Sequence, residues 1–264
     1  MIGIFDSGAG GLTVVKEIRR LLPDYDLIYF GDTARFPYGN QSPKLLQRYA
    51  SEDAALLVRQ GAQLVIIGCN SAAAAAGEFL RQQLTVPVFD VIEPAVEEAA
   101  RRTRHGRIGV IGTKATVKSG VYERRLQALS PHSTVIARAT PMLVPLVEER
   151  WWKYPESMRM IRRSLKSLKD AHVDTLVLAC THYPLLQPLI ERVMGKQVAV
   201  VNPARTTAEA LRIFLVEHPD VARTLARGGH EEFYVSSDPA HFRETAEWWL
   251  GRNVEVTEMR TESE

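Results

Sequence analysis

The sequence predicts an α/β protein of two pseudo-symmetric three-layer domains, each built on a mainly parallel sheet, with a cleft between them. Three observations carry this expectation. Short β-branched runs alternate with amphipathic helical stretches along almost the whole chain, the rhythm of parallel strands covered by helices on both faces. Two of those runs end in the only cysteines, Leu64-Val65-Ile66-Ile67-Gly68-Cys69 and Thr175-Leu176-Val177-Leu178-Ala179-Cys180. There is also a weak internal echo. Gly3-Ile4-Phe5-Asp6-Ser7-Gly8 and Gly109-Val110-Ile111-Gly112-Thr113-Lys114 each begin a half with a strand and a small-residue turn, and each is followed two helix-sized intervals later by a cysteine strand. Common strand–turn–helix grammar can also produce an echo of this strength.

Taken in order, continuous apolar runs bounded by turn residues predict strands at Ile2–Phe5, Leu27–Phe30, Leu64–Ile67, Val88–Val91, Ile108–Ile111, Val135–Ala137, Thr175–Leu178, Val198–Val201 and Phe233–Val235. Helical periodicity fills the intervals at about Gly11–Leu22, Lys44–Gln60, Ala72–Gln83, Pro94–Thr103, Val117–Leu129, Pro155–Ala171, Pro188–Val193, Thr206–Glu217 and Ala240–Leu250. Pro94 favours a helix start after a short connection, so the first boundary is expected there. The expected domains are residues 1–93 plus 208–264, carrying Cys69, and residues 94–207, carrying Cys180. The carboxyl-terminal segment has no cysteine and is read as returning to complete the first domain.

At 264 residues the chain is long enough for one large domain or two of ordinary size. With 45% hydrophobic and 24% charged residues it reads as a soluble globule with a full core. A net charge of +2 and the lack of a basic stripe give no reason to expect a nucleic-acid partner. The arginines of Arg101-Arg102-Thr103-Arg104 read as a solvated helix end. No apolar stretch approaches the roughly 20 residues of a membrane helix. The amino terminus starts directly as a strand without a basic leader, and two cysteines suit a reducing compartment, so a cytoplasmic protein is expected.

The cysteines are the strongest chemical signal. Parallel strands deliver their last residues to the carboxyl edge of a sheet, where open α/β sheets place their chemistry. A thiolate is the useful base, and a helix amino terminus favours it. His182, two residues after Cys180, can exchange its proton, and Asp6 can do the same for Cys69 if the first and third strands are neighbours. Taken singly, each cysteine could equally be a small buried hydrophobe. A disulfide is disfavoured by the reducing compartment, and no compact ligand spacing supports a metal.

Asp6-Ser7-Gly8-Ala9-Gly10-Gly11 follows a strand, but Thr13 stands where a dinucleotide fingerprint needs its third glycine. It reads better as a turn whose N–H groups and Ser7 hydroxyl hold a carboxylate, and equally as a tight turn needing glycine conformations. Pro37-Tyr38-Gly39 is a stiff turn expected to aim an aromatic hydroxyl into the cleft, or simply a strand-to-helix turn. Glu148 is a candidate cleft carboxylate, although alone it reads as a surface helix charge. Trp151-Trp152 and Trp248-Trp249 read as core or interface packing.

Together these segments, with Gly31-Asp32, Cys69-Asn70-Ser71-Ala72, Gly112-Thr113, Thr116, Pro145-Leu146-Val147-Glu148 and Ala179-Cys180-Thr181-His182-Tyr183-Pro184-Leu185, closely resemble the glutamate racemase family. Ser71 stands where the family commonly has threonine, and the Arg-Trp-Trp after Glu149 is unusual for it. The resemblance implies cofactor-independent interconversion of L- and D-glutamate for peptidoglycan, with Cys69 acting on D-glutamate and Cys180 on L-glutamate. Asp6 would support Cys69, and His182 with Glu148 would support Cys180. Asp6, Ser7, Tyr38, Gly39, Asn70, Ser71, Thr113, Thr116, Thr181 and His182 would hold the substrate. It further implies a homodimer. An aspartate racemase and a non-catalytic binding protein on the same fold stay open at this point.

Overall fold

A computed structural model describes residues 1–261. Two parallel sheets organise it. The first contains β1 (Ile2–Asp6), β2 (Leu27–Gly31), β3 (Leu64–Ile67), β4 (Val88–Asp90), β9 (Glu231–Val235) and β10 (Val256–Glu258), in the order β10-β9-β2-β1-β3-β4. The second contains β5 (Arg107–Gly112), β6 (Thr134–Ala139), β7 (Thr175–Ala179) and β8 (Ala199–Val201), in the order β6-β5-β7-β8. All named strand pairs are parallel. Helices pack over them, and the central strands β1, β3 and β7 are buried along their whole length, as strands covered on both faces must be.

The echo read in the sequence is topological. In each sheet the first strand of the half lies between the second and the third, and the fourth sits outside the third. The chain therefore reverses its winding between β1 and β3, and again between β5 and β7. Such a switch point opens a crevice beyond the strand ends, where ligands bind. Asp6 ends β1 and Cys69 follows β3, while Gly112 ends β5 and Cys180 follows β7. The register Phe5↔Ile67 makes the first and third strands neighbours, the condition for Asp6 to approach Cys69.

Several boundaries differ from the sequence reading. The helix expected over Val117–Leu129 is two, Lys114–Ser119 and Val121–Leu129, because Gly120 takes a left-handed conformation (φ 65°) between them. The short helices Leu143–Glu148 and Pro219–Thr224 and the edge strand β10 carry too little apolar periodicity to be read in advance. Helix Glu93–Arg102, with Pro94 in its first turn, lies between the early strands of the first sheet and the first strand of the second. Position 208 lies inside the helix Pro203–Glu217. Residues 262–264 of the expected first domain lie outside the described residues. Among the described residues no helix is long and apolar enough to cross a membrane.

Candidate active site between the two sheets

The two crevices open into one cavity of about 320 Å³. The first-sheet side supplies Ser7, Tyr38, Gly39, Cys69, Asn70 and Ser71, and the second-sheet side supplies Thr113, Glu148, Cys180, Thr181 and His182. Both cysteines are free and buried. Among the expected residues, Asp6 and Thr116 do not line the cavity. They stand behind its wall and hold residues that do.

The local causes are backbone ones. Cys69 occupies the N-cap position of helix Asn70–Gln83, so the chain turns from strand to helix at the sulfur. Cys180 leads instead into a short 3-10 turn, Tyr183–Leu186, before helix Gln187–Met194. Gly10 lets the first-sheet loop touch the second-sheet segment. A β-carbon there would lie 2.2 Å from Thr181 Oγ1 and 2.8 Å from His182 Nδ1. Gly39 has the same function at the other wall, where a β-carbon would lie 2.8 Å from Thr113 Cβ.

Polar contacts stitch the seam. Thr181 Oγ1 donates to Asp6 Oδ2 at 3.1 Å, and Thr13 Oγ1 donates to Thr181 O at 3.0 Å. Ser71 Oγ lies 2.8 Å from Thr113 Oγ1 and 3.4 Å from Thr116 Oγ1. Tyr122 OH donates to Asn70 Oδ1 at 2.7 Å, while the buried Asn70 Nδ2 has no partner. A buried donor left open on a cavity wall is a costly feature unless something bound there accepts from it.

The glycine-rich turn closes on the carboxylate of its own Asp6. Gly8 N donates to Asp6 Oδ1 at 3.0 Å. Burial raises the Asp6 carboxyl above its usual range, against the opposing pull of His182 and these hydrogen bonds. Cys69 Sγ lies 3.8 Å from Ser7 Oγ. Asp6 acts on Cys69 by charge. Burial first, and then the Asp6 carboxylate, push the Cys69 thiol up to about 12. This corrects the expectation that the helix amino terminus would favour a Cys69 thiolate: hydrogen bonds from Ala72 and Ser7 work that way but are smaller than the cost of burying the charge.

The other wall carries the opposite charge. His182 Nδ1 lies 3.9 Å from Cys180 Sγ, and His182 Nε2 is bonded to Glu148 Oε1. Burial works against the imidazolium, but the Cys180 and Glu148 contacts outweigh it and raise His182 to about 10. Burial alone would raise the Glu148 carboxyl, yet the His182 hydrogen bond and charge bring it below its ordinary value.

Tyr38 corrects a second expectation. Its hydroxyl points away from the cavity, donating to Asp32 Oδ2 and lying 2.9 Å from Asp53 Oδ2. Arg35 joins the same cluster, donating to Asp32 at 2.6 Å and Asp53 at 2.7 Å, with Tyr49 4.2 Å beneath its guanidinium. Only the rest of Tyr38 faces the cavity. Sequence reasoning missed this cluster, although Asp32 and Arg35 stand at the ion-pair spacing of three. It also set Thr13 aside as a failed glycine, where the hydroxyl in fact pins the seam.

Fold and cavity define a protein with one thiol on each sheet's face of a small shared site, and the relatives it resembles are isomerases. The family profile described as Asp/Glu/Hydantoin racemase matches residues 2–211. The glutamate racemase of Geobacter metallireducens is 44% identical over 264 residues, covering 100% of this chain and 97% of that protein. The glutamate racemase isoform RacE1 of Bacillus anthracis superimposes with a TM-score of 0.93 at 36% identity, over 98% of this chain and 97% of that one. The glutamate racemase of Francisella tularensis in complex with D-glutamate gives 0.90 at 30% identity, over 100% and 98%. The chain belongs to the Asp/Glu/Hydantoin racemase family.

Two outcomes follow. Tyr38→Phe is expected to cost about 1–3 kcal/mol of stability in urea denaturation by leaving buried carboxylates short of a donor, with the KM for substrate changed far less; a large KM effect at unchanged stability would return the hydroxyl to the cavity. A raised His182 pKa contributes stability that is complete below its ordinary 6.5 and is lost as pH climbs through about 10. The stability advantage of the native chain over His182→Asn is therefore expected to shrink over that span, as read from urea midpoints; an advantage growing with pH would contradict the pairing.

Proposed function

We propose that the protein racemises glutamate by a two-base mechanism without a cofactor, and so supplies D-glutamate for peptidoglycan. The observation that carries this reading is the presence of Cys69 and Cys180 in one cavity, each following the third strand of its half. Inverting a stereocentre needs a base on one face of Cα and an acid on the other. One thiolate takes the Cα proton, and the bonding pair stays on Cα, delocalised into the adjoining carboxylate. The opposite thiol then gives its proton to the other face and becomes the thiolate, so the two sulfurs exchange states at each turnover.

The electrostatics support a starting order. Cys69 is held protonated by burial and Asp6, and it enters as the acid. Cys180, whose sulfur lies 3.9 Å from His182 Nδ1, takes the other role of the pair, that of the base. By resemblance Cys180 then acts on L-glutamate and Cys69 on D-glutamate, with His182 and Glu148 supporting the first and Asp6 the second. The free Asn70 Nδ2 and the hydroxyls of Ser7, Ser71, Thr113 and Thr181 suit the carboxylates of an acidic amino acid. Its ammonium group supplies the positive charge that a Cys69 thiolate needs in so dry a place.

The relatives named glutamate racemase match along their full length, which supports glutamate over aspartate as the substrate. Residues 1–93 with 208–264 and residues 94–207 serve as the working domains, and a cytoplasmic homodimer is the assembly the resemblance supports. Cys69→Ser and Cys180→Ser are each expected to lower turnover of L-glutamate in a circular-dichroism assay by at least about 10²-fold, with folding intact. Full activity in either variant would reduce the site to a binding pocket, and turnover of L-aspartate alone would displace the substrate assignment.

A further inference from the structure

The four tryptophans stand at positions 151, 152, 248 and 249. Trp248 and Trp249 belong to helix Pro239–Leu250, which packs on the first sheet. Trp151 and Trp152 belong to the turn Trp151–Lys153, which follows Glu148 on the second-sheet side. Trp152 packs tilted on Trp248 with ring centroids 5.0 Å apart and planes at 33°. Arg150 sets its guanidinium 4.8 Å from the centre of the same Trp248 ring. Trp249 meets the His182 ring edge-on at 5.7 Å and 89°.

Two features distinguish this arrangement from ordinary packing. Trp248 and Trp151 are 41% and 52% exposed, so burial of apolar surface does not account for their position. Arg150 adopts a left-handed backbone (φ 55°), a conformation a side-chain-bearing residue holds only when its surroundings impose it. That turn is pinned at both ends, by Arg150 N donating to Val147 O at 3.0 Å and by Ser157 Oγ donating to Trp151 O at 2.5 Å. Glu148 is two residues from Arg150 and has little freedom once the turn is anchored.

We propose that Arg150, Trp152 and Trp248 form an interdomain clasp that positions the Glu148–His182 pair against Cys180. Neighbouring residues of one helix grip both members: Trp248 fixes the turn that follows the helix carrying Glu148, and Trp249 abuts the imidazole. None of these aromatic residues lines the cavity, so they act as positioning residues for one wall only. Cys69 lies on the opposite wall, and loosening the clasp raises the barrier at Cys180 more than at Cys69.

This inference rests on the two-thiol reading, and the test separates the two. The rates in the two directions cannot diverge at equilibrium for a racemase, but isotope effects can. With Trp248→Ala or Trp152→Ala, kcat/KM is expected to fall roughly ten- to a hundredfold, the penalty of a misplaced catalytic group. The effect of α-deuteration on kcat/KM is expected to rise with L-glutamate, whose proton Cys180 removes, and to fall with D-glutamate. Trp248→Phe, which keeps a ring under Arg150, is expected to recover most of both. Equal losses with both isotope effects unchanged would mean a merely structural role and overturn the clasp, as would an unaltered kcat/KM. Inactivity of Cys69→Ser and Cys180→Ser, measured alongside, reports separately on the chemistry: if either retains full turnover, the two-thiol reading fails whatever the tryptophan variants do.

Discussion

The seam between the two sheets is the constraint on which the site depends. Each half is wound so that its crevice opens between its first and third strands, and the two crevices meet. They can meet closely only because the loop after β1 has no side chain at Gly10, and the turn after β2 has none at Gly39. The hydroxyls of Thr13, Ser71, Thr113 and Thr181 then convert a backbone contact into a hydrogen-bonded one. Most of these residues bond across the seam, so holding the domains together and shaping the cavity are one task.

The two thiols occupy equivalent positions but different electrostatic surroundings. Behind Cys69 lies a buried carboxylate, Asp6. Beside Cys180 lies an imidazole that its contacts with Cys180 and Glu148 keep cationic. Like charge and burial discourage ionisation at the first wall, and a cation stands beside the sulfur at the second. Thr181 ties the two arrangements together, since its hydroxyl rests on Asp6 while its neighbours are Cys180 and His182.

Much of this was legible in the sequence. Apolar runs ending in Cys69 and Cys180 located both strand ends, and the spacing of Gly3 and Gly109 from those cysteines reflected a repeat that the strand order makes explicit. What stayed hidden was whatever depended on three-dimensional competition. A tyrosine in a stiff turn reads as aimed at a cleft, but two buried carboxylates claimed the Tyr38 hydroxyl. A helix amino terminus reads as favouring a thiolate, but desolvation, which no local pattern encodes, prevailed at Cys69. Gly120 split a helix because its left-handed backbone is invisible in a periodic count. Pairs such as Trp152 and Trp248 meet only through the domain arrangement, and sequence proximity gives no hint of the contact.

The central claim is that two sulfurs work on opposite faces of a single carbon. Conversion of each glutamate enantiomer in deuterated water tests it most directly, with α-deuterium measured early in both the product and the recovered substrate. Two separate bases predict deuterium in the product with little in the remaining substrate, in both directions. Equal early labelling of substrate and product would point to one exchanging base and contradict the account.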